Sequence, residues 1–221
     1  MRLAIVGYGK MGRLIEQLAP EFDFTVHARI DANDDLRHAE GADVAIEFTA
    51  PASVIGNVER LAAAGLPVVV GTTGWMAEMD RARAAVDAND TALIWSPNFS
   101  IGVNVFMRIV RDAAQLLASE AGYGAWAWEI HHATKKDAPS GTLLMLVEEM
   151  KAAGYTRDID IASSRAGTHP GTHEIGFDSA ADSITLHHSA RSREGFARGA
   201  LRAAQWILGK KGVFEFSELF L

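Results

Sequence analysis

The chain has 221 residues, a formal net charge of −7 at pH 7 and no cysteine. The lack of cysteine excludes disulfides, thiolate nucleophiles and cysteine-ligated zinc, and the acidic balance argues against nucleic acid as a partner. No apolar run is long enough for a membrane span, and the N-terminal residues are typical of a strand and a turn rather than a signal peptide. We therefore expect a cytoplasmic protein that has no membrane partner.

The N-terminus carries a glycine pattern that is typical of dinucleotide binding. A buried strand is predicted over residues 2–6 and a helix near Met11, and a G-x-G-x-x-G turn lies between them. Gly7 permits the tight turn, Gly9 lets a pyrophosphate approach the backbone, and Gly12 lets the helix pack closely on the strand. A glycine-rich turn without a ligand is the alternative. The predicted cofactor contacts here are Gly7, Tyr8, Gly9, Lys10, Met11 and Gly12.

The residue after the second predicted strand bears on the choice of cofactor. This strand covers residues 22–30, and Asp31 lies nineteen residues beyond the last glycine of the pattern. An acidic side chain there can accept hydrogen bonds from the adenine ribose, although an ordinary turn aspartate is a serious competitor. Its charge favours NADH over NADPH, whereas Arg13, Arg29 and Arg37 are near enough in sequence to offset it. We predict that either NADH or NADPH is used, with NADH somewhat favoured.

The pattern of strands and helices continues to residue 95. Further strands are predicted over residues 43–48, 66–70 and 92–95, the last being the final strand of the sheet, and helices over residues 51–65 and 76–89. Ligands bind beyond the carboxyl ends of such strands. That rule places five residues at the cofactor edge, namely Phe48, Thr49, Gly71, Thr72 and Thr73. A simple polar turn is the alternative for the second group.

Residues 96–99 follow the strand over 92–95 and form the predicted crossing point between two domains. Ser96, Pro97, Asn98 and Phe99 are expected beside the nicotinamide, where they would fix which face of the ring meets the substrate. The alternative is that Asn98 and Phe99 are only a hinge and its packing anchor. Beyond this point the pattern predicts a mixed α+β region with helices over residues 103–119 and 141–153, and strands over residues 126–131, 159–163, 173–177 and 183–188.

The segment EIHHATKKDAPSGT, residues 129–142, contains two histidines and two lysines followed by a Pro-Ser-Gly-Thr turn. Four potential cations fall within six residues: His131, His132, Lys135 and Lys136. Backbone N–H groups after Pro139 can point at a carboxylate from a helix N-terminus, and an imidazole nearby can act as a general acid near neutral pH. A solvated basic loop with a helix cap is the competing interpretation. No metal site is predicted, because adjacent histidines on a strand point to opposite faces.

This segment resembles the signature of dihydrodipicolinate reductases, E-[LI]-H-H-x-x-K-x-D-A-P-S-G-T. The resemblance extends through VGYGKMGR, EFT, GTTG, SPNFSIGVN and SREGFARGA in the order of the family. It implies the reduction of 4-hydroxy-tetrahydrodipicolinate (dihydrodipicolinate) to tetrahydrodipicolinate by NADH or NADPH, in diaminopimelate and lysine biosynthesis. It also suggests a homotetramer built through the sheet of the second domain, and contacts from the Phe48 and Gly71 turns to the nicotinamide ribose and carboxamide.

The predicted fold class is α/β, with an N-terminal Rossmann-like dinucleotide-binding domain and an inserted α+β domain carrying a mixed sheet. The final helix, about residues 196–208, resembles the segment that returns to the first domain. The dinucleotide-binding domain is therefore predicted over residues 1–99 and 196–221. The substrate-binding and oligomerisation domain is predicted over residues 100–195.

The site roles follow from a substrate with two carboxylates. We expect His131 to be the proton donor, and Lys135 to bind one carboxylate in charge-assisted hydrogen bonds together with Ser140, Gly141 and Thr142. His132 is expected at the ring or the carboxylate. Arg165 and His187 match family positions but stay outside the predicted site.

The chain departs from the family at one position of this region. It has Gly171-Thr172-His173 where the family commonly has Gly-Glu-His, so no role of that glutamate can be carried over. The alternatives from other classes are an oxidoreductase of another small carboxylate and a non-catalytic NAD(H) sensor.

Overall fold

The computed structural model describes residues 1–220, which form two compact units. The first comprises residues 1–101 and the chain from residue 194 onward, and the second comprises residues 102–193. None of the helices described is long and apolar enough to cross a membrane. The strands are β1 (Arg2–Val6), β2 (Thr25–Ile30), β3 (Val44–Glu47), β4 (Val68–Val70), β5 (Ala92–Trp95), β6 (Gly124–His131), β7 (Ile159–Arg165), β8 (Thr172–Asp178), β9 (Ser183–Ser189) and β10 (Gly212–Glu215). The α-helices are α1 (Lys10–Leu18), α2 (Pro51–Ala63), α3 (Met79–Ala88), α4 (Ile101–Leu117), α5 (Gly141–Ala152) and α6 (Glu194–Trp206).

The first unit is a doubly wound parallel sheet in the order β10-β5-β4-β3-β1-β2. Successive residues of its strands face opposite sides, so Leu3 and Ile5 join the core beneath α1 and α6, whereas Ala4 and Val6 join the core beneath α2 and α3. The strands β1, β3, β4 and β5 are therefore buried on both faces, which explains why they are almost entirely apolar, whereas the edge strand β2 has exposed polar residues such as Arg29. The predicted Rossmann-like fold is confirmed.

Two predictions about this sheet are wrong in detail. Residues 92–95 do not form its final strand, because β10 pairs in parallel with β5 and provides the edge, with Val213 opposite Leu93. The second strand begins at Thr25 rather than at residue 22, since Ala19–Phe22 form a 3₁₀ turn that ends at Asp23 with φ 59°. The strand β10 has only four residues and follows a Lys-Lys pair, so no periodic pattern marked it.

The second unit has a mixed sheet in the order β7-β6-β8-β9. Strand β6 runs parallel to β7 and antiparallel to β8, which pairs antiparallel with β9. Apolar residues of α4 and α5 form a core with one face of this sheet. Along β6, Ala125, Ala127, Glu129 and His131 are buried on that face, while Trp126, Trp128 and Ile130 are only partly buried. The predicted mixed sheet is confirmed, and it places a glutamate and a histidine side by side in the interior.

Candidate active site

The glycine pattern of the first unit forms the floor of a cavity at the carboxyl ends of the strands. Gly7 has φ +95°, and a Cβ built on it would lie 2.0 Å from the Phe48 carbonyl oxygen, so this turn accepts glycine alone. A Cβ on Gly12 would lie 2.3 Å from the Gly7 carbonyl oxygen, which shows how closely α1 packs on the turn. The structure thus explains these two positions by packing.

Two cavities open along this edge and together contact most of the predicted cofactor residues. One, of about 440 Å³, is lined by Gly7, Gly9, Asp31, Phe48 and Thr49, and by residues outside the prediction such as Asp34, Asn57 and Arg60. The other, of about 480 Å³, is lined by Gly9, Lys10, Met11, Phe48, Thr49, Gly71, Thr72 and Thr73. Both volumes lie in the range of small-molecule and cofactor sites. The remaining predicted residues, Tyr8, Gly12, Ser96, Pro97, Asn98 and Phe99, are not among those that line them.

Charges around the first cavity are dominated by carboxylates. Asp34 lines it beside Asp31 and accepts the Asp31 backbone N–H at 2.8 Å. Two of the three arginines expected to offset Asp31 are already paired. Arg29 forms an ion pair with Glu16, and Arg37 with Asp35 at 2.6 Å. Arg60, which also lines the cavity, pairs with Asp35 as well, at 3.2 Å.

A buried carboxyl group supports the turn at Thr49. Glu47 is inaccessible to solvent, and burial raises its pKa. The Thr49 hydroxyl donates to it, as does Asn57 Nδ2 at 3.3 Å, and the Thr49 N–H donates to Thr72 Oγ1 at 2.8 Å. The cofactor edges of β3 and β4 are thereby joined. Sequence reasoning missed Glu47, although a single acidic residue in the otherwise apolar run VAIEF, residues 44–48, was a signal.

Residues 96–99 form a tight, internally bonded turn. Ser96 Oγ accepts the Asn98 N–H at 3.1 Å and donates to the Asn98 carbonyl oxygen at 2.8 Å. The Phe99 ring is buried and packs against Phe216 with centroids 4.8 Å apart, and edge-on against Phe48 at 6.5 Å. The geometry matches the packing anchor that sequence reasoning left open, and contact with the nicotinamide stays a prediction.

In the second unit the two histidines of the motif separate. His131 is the last residue of β6 and is 8% exposed, on the helix-covered face. His132 lies just beyond the strand, where its Nδ1 is 2.8 Å from Thr134 Oγ1. Lys135 Nζ lies 2.8 Å from both carboxylate oxygens of Asp137. A ligand carboxylate would therefore compete with Asp137 for this cation.

Ser140 is the N-cap of α5, and its donors are already engaged. Its Oγ accepts the Leu143 N–H at 3.2 Å, while its own N–H donates to Glu129 Oε1 at 2.9 Å and its hydroxyl to Glu129 Oε2. Ser140 is buried, whereas Gly141 is exposed and Thr142 is partly exposed. The predicted direct bond from Ser140 to a substrate carboxylate thus has a competitor in Glu129, and the first turn of α5 presents Gly141 and Thr142 instead.

Sheet register gathers polar side chains around Glu129. Glu129 lies opposite Ser163 of β7 and His173 of β8, and His131 lies opposite Arg165 of β7. Arg165 Nη2 donates to Glu129 Oε1 at 2.8 Å and to the Asp137 carbonyl oxygen at 2.6 Å, and Ser163 Oγ donates to Glu129 Oε1 at 3.0 Å. Sequence reasoning left Arg165 out and gave Glu129 no role, because both depend on strand pairing. His187 pairs with Glu174 at 2.8 Å, on the opposite face of the sheet from His131.

The pKa values in this cluster follow from burial and from the donors. Although burial opposes ionisation of Glu129, hydrogen bonds from Ser140, Arg165 and Ser163 hold its pKa below the usual value. Burial lowers the pKa of His131, against the opposing charge of Glu129. Burial likewise lowers the pKa of His173 to about 4. Near neutral pH this site therefore holds an ionised carboxylate beside neutral imidazoles.

The same cluster has the spacing of a metal site but not its charge. One ligand atom each from Glu129, His131 and His173 lie within 4.8 Å of one another. The Arg165 guanidinium, however, lies 2.8 Å from the carboxylate, and Ser140 donates to both of its oxygens. A cation would have to displace these donors and sit beside an arginine. The arrangement fits a hydrogen-bond network better than a metal centre.

Both units match models of one protein family along nearly their whole length. Residues 1–99 match the model described as dihydrodipicolinate reductase, N-terminus, and residues 102–220 match dihydrodipicolinate reductase, C-terminus. The chain belongs to the dihydrodipicolinate reductase family. The recognition made from the motifs is confirmed, and with it the class of oxidoreductase.

Relatives agree with this membership over almost the full chain. A 4-hydroxy-tetrahydrodipicolinate reductase of Christiangramia forsetii is 36% identical, covering 99% of this chain and 97% of the relative. A protein of the same name from Thiobacillus denitrificans is 35% identical, covering 95% and 94%. Among solved structures, dipicolinate-bound dihydrodipicolinate reductase from Paenisporosarcina sp. TG-14 matches with a TM-score of 0.88 at 20% identity, covering 99% of both chains. A probable dehydrogenase from Thermotoga maritima matches with a TM-score of 0.59 at 12% identity, covering 91% of this chain and 85% of its own. The two structures support the fold.

Proposed function

We propose that this protein reduces 4-hydroxy-tetrahydrodipicolinate to tetrahydrodipicolinate with a nicotinamide cofactor. The observation that carries the proposal is the grouping of His131, Lys135 and the N-terminus of α5 at one end of the sheet in the second unit. The names of relatives that are 36% and 35% identical support the same substrate. Its two carboxylates would account for a lysine and a helix N-terminus in one place.

The reaction requires one hydride and one proton and releases one water. The nicotinamide supplies the hydride, so the protein must orient the substrate, bind its charges and deliver the proton. In our proposal His131 donates that proton, Lys135 binds one carboxylate in exchange for Asp137, and the N–H groups of Gly141 and Thr142 bind the same carboxylate. His132 contributes at the ring or the carboxylate. We propose that Ser140, in the same turn, also contributes to binding this carboxylate, although its N–H and hydroxyl groups donate to Glu129 as well.

For the cofactor, we propose NADH ahead of NADPH. Asp31 and Asp34 both line the cavity where an adenine ribose would lie, and both carboxylates would repel a 2′-phosphate. Arg29, Arg37 and Arg60 are paired with Glu16 or Asp35 and are less available to offset that repulsion. The proposed binding residues remain those of the glycine turn, Asp31, the turns at Phe48 and Gly71, and residues 96–99.

We also propose which ligand each unit binds and how the chains assemble. The first unit would bind the dinucleotide, and the second would bind the substrate and form a homotetramer in the cytoplasm. The partly exposed Trp126, Trp128 and Ile130 on one face of the second sheet support assembly through that face. Light scattering of the purified protein would test it, and a mass of one chain would contradict it.

The deciding experiment mixes the protein with freshly generated condensation product of pyruvate and aspartate semialdehyde and follows the loss of NADH or NADPH absorbance. His131→Gln should lower kcat by about 10²- to 10⁴-fold, the usual contribution of a general acid. Lys135→Ala should raise KM and lower kcat, because it removes a charge that binds the substrate. Lys136→Ala, one residue along and exposed, is the matched control and should behave like the wild type.

The outcomes separate this proposal from its competitors. Oxidation of NADH that depends on the dicarboxylate, and that His131→Gln slows by about 10²-fold or more, supports the reductase. Binding of NADH without any oxidation would shift the function to a nucleotide sensor or to an oxidoreductase of another small carboxylate. Full kcat in His131→Gln at saturating substrate would contradict the role given to His131.

A further inference from the structure

The Glu129 carboxylate is held by four donors from two separate parts of the second unit. The N–H and hydroxyl of Ser140 come from the start of α5, and Ser163 Oγ and Arg165 Nη2 come from β7. The side chain has no exposed surface. A buried carboxylate with this many donors stays ionised and keeps one orientation. The Glu129 carboxylate can therefore orient a side chain that packs against it.

The Nδ1 nitrogen of the His131 ring faces the Glu129 carboxylate. This nitrogen is 3.4 Å from Glu129 Oε2, is buried, and has no hydrogen-bond partner within the described residues. The His131 side chain nevertheless keeps 10% of its surface exposed. Since Nδ1 is on the buried side, the nitrogen that can meet a ligand is Nε2. A small movement of the ring would convert the 3.4 Å contact into an Nδ1–H hydrogen bond to the carboxylate.

We infer that Glu129 is the positioning residue for the proton donor of the proposed reductase: it binds the His131 Nδ1–H and so holds Nε2–H toward the substrate. The inference rests on the proposed function. In the acid form of His131, both nitrogens carry a proton. The Nε2–H bond breaks as its proton passes to the substrate, while the Nδ1 proton stays on the imidazole and remains hydrogen-bonded to Glu129. Solvent restores the Nε2 proton for the next turnover.

The same carboxylate also sets the position of the anion-binding turn. Because Ser140 donates to both Glu129 oxygens, the first turn of α5 with Gly141 and Thr142 is tied to the group that orients His131. Arg165 extends this connection, since the nitrogen that contacts Glu129 also donates to the Asp137 carbonyl oxygen, two residues beyond Lys135. One buried charge thus couples the placement of the proton to the placement of the substrate carboxylate.

The sign of the pH effect follows from the groups around His131. Glu129 raises the pKa of this imidazole, while burial lowers it. The other charged or titratable groups that face it are cationic or become so on protonation, and they are Lys135, Arg165, His132 and His173. Removing the negative charge of Glu129 leaves only influences that disfavour the acid form. The pH at which activity falls as the proton donor deprotonates should therefore move to a lower value.

Glu129→Gln tests this with a nearly isosteric side chain. We expect kcat to fall by between about 10- and 10⁴-fold, the span seen for groups that orient a working imidazole, with the alkaline limb of the kcat profile shifted to lower pH. The matched control is Glu174→Gln on the neighbouring strand, which removes a carboxylate that contacts His187 on the opposite face. It should leave kcat and the pH profile unchanged. An equal response of the two variants, or an unshifted limb in Glu129→Gln, would overturn the inference.

A measurement on the unaltered protein guards against misfolding of the variant and needs no turnover. ¹⁵N-edited NMR of the wild type, with assignment by loss of the signal in His131→Gln, reports which nitrogen of neutral His131 carries its proton. The Nδ1–H tautomer is expected, and the Nε2–H tautomer would overturn the inference. If the wild type does not reduce the dicarboxylate, the proposed function fails, while the tautomer still decides whether Glu129 orients His131.

Discussion

Gly171 lies directly against the imidazole of His131. A Cβ built on Gly171 would be 2.9 Å from Nε2 and 3.1 Å from Cδ2 of that ring, and the residue has φ +143°. The residue that precedes β8 is therefore part of the wall that holds the proposed proton donor, although it carries no side chain of its own.

Gly171→Ala should displace the His131 ring and lower kcat, and the strain of an alanine at φ +143° should also lower the unfolding midpoint. The added methyl group cannot fit at 2.9 Å unless the imidazole moves, and movement breaks its alignment with Glu129. Steady-state kinetics together with thermal unfolding would measure both effects. Gly167→Ala is the matched control, because Gly167 also has positive φ, at +51°, but nothing lies within 4 Å of its built Cβ. If both variants lose kcat equally, backbone strain rather than contact with His131 is the cause.

Gly199→Ala should destabilise the first unit. Its built Cβ lies 1.6 Å from the Phe99 carbonyl oxygen, so α6 could no longer approach residues 96–99. Overpacking of this kind costs about 1–3 kcal/mol or more, and calorimetry should show a lower melting temperature for this unit. Gly56→Ala in α2, where nothing lies within 4 Å, should instead stabilise by roughly 0.5–1 kcal/mol through helix propensity. A Gly199→Ala protein as stable as the wild type would show that α6 tolerates displacement.

The Asp31→Asn, Asp34→Asn double variant should gain activity with NADPH relative to NADH. At about 4 Å in water each pair of like unit charges costs roughly 1 kcal/mol, so removing both carboxylates, roughly 2 kcal/mol together, should raise the NADPH to NADH ratio of kcat/KM by about 30-fold. The ratio measured in wild type and variant, at low and high salt, tests this, because added salt should reduce the difference. Asp87→Asn on the exposed face of α3 is the control for the loss of a carboxylate that does not line the cavity. No change of the ratio in the double variant would remove Asp31 and Asp34 from cofactor selection.

His173 should make the protein less stable in mild acid. Its pKa is about 4 in the folded state because burial, and then the neighbouring His131, disfavour the charged form, whereas an unfolded histidine has a pKa of about 6.5. Between these values the unfolded chain binds more protons, so the free energy of unfolding falls as pH falls from about 6.5 to 4, by on the order of 3 kcal/mol. His173→Asn should flatten this dependence, and His169→Asn, at an exposed position, should not. Denaturant unfolding at a series of pH values is the measurement.

The residues of the proposed site that could be predicted are those that lie close together in the sequence. His131, Lys135 and the Ser140–Thr142 turn could be named because strand end, loop and helix N-cap follow one another within residues 129–142. Arg165 could not be placed, since its contact with Glu129 depends on the register of β6 with β7, thirty-six residues away. Long-range pairing of this kind leaves no periodic signal in the chain.

The sheet of the first unit shows the same division. Strands β1, β3, β4 and β5 were recognisable from continuous apolar runs, because a strand that is buried on both faces needs apolar residues throughout. Strand β10 was not, because GVFE is short, and its place beside β5 is specified by pairing rather than by composition. Phe216, which packs on Phe99, was missed for the same reason.

The first unit is completed only when α6 and β10, which follow the second unit in the sequence, have been synthesised. After β5 leaves the ribosome, about 120 residues must follow before β10 covers its edge, roughly 6–24 s at elongation rates of about 5–20 residues per second. Over that interval the apolar surface that α6 will cover and an unpaired strand edge are open to other nascent chains. A premature stop codon anywhere before residue 194 would make that exposure permanent, so such truncated products should aggregate or be degraded rather than persist as a working dinucleotide-binding half.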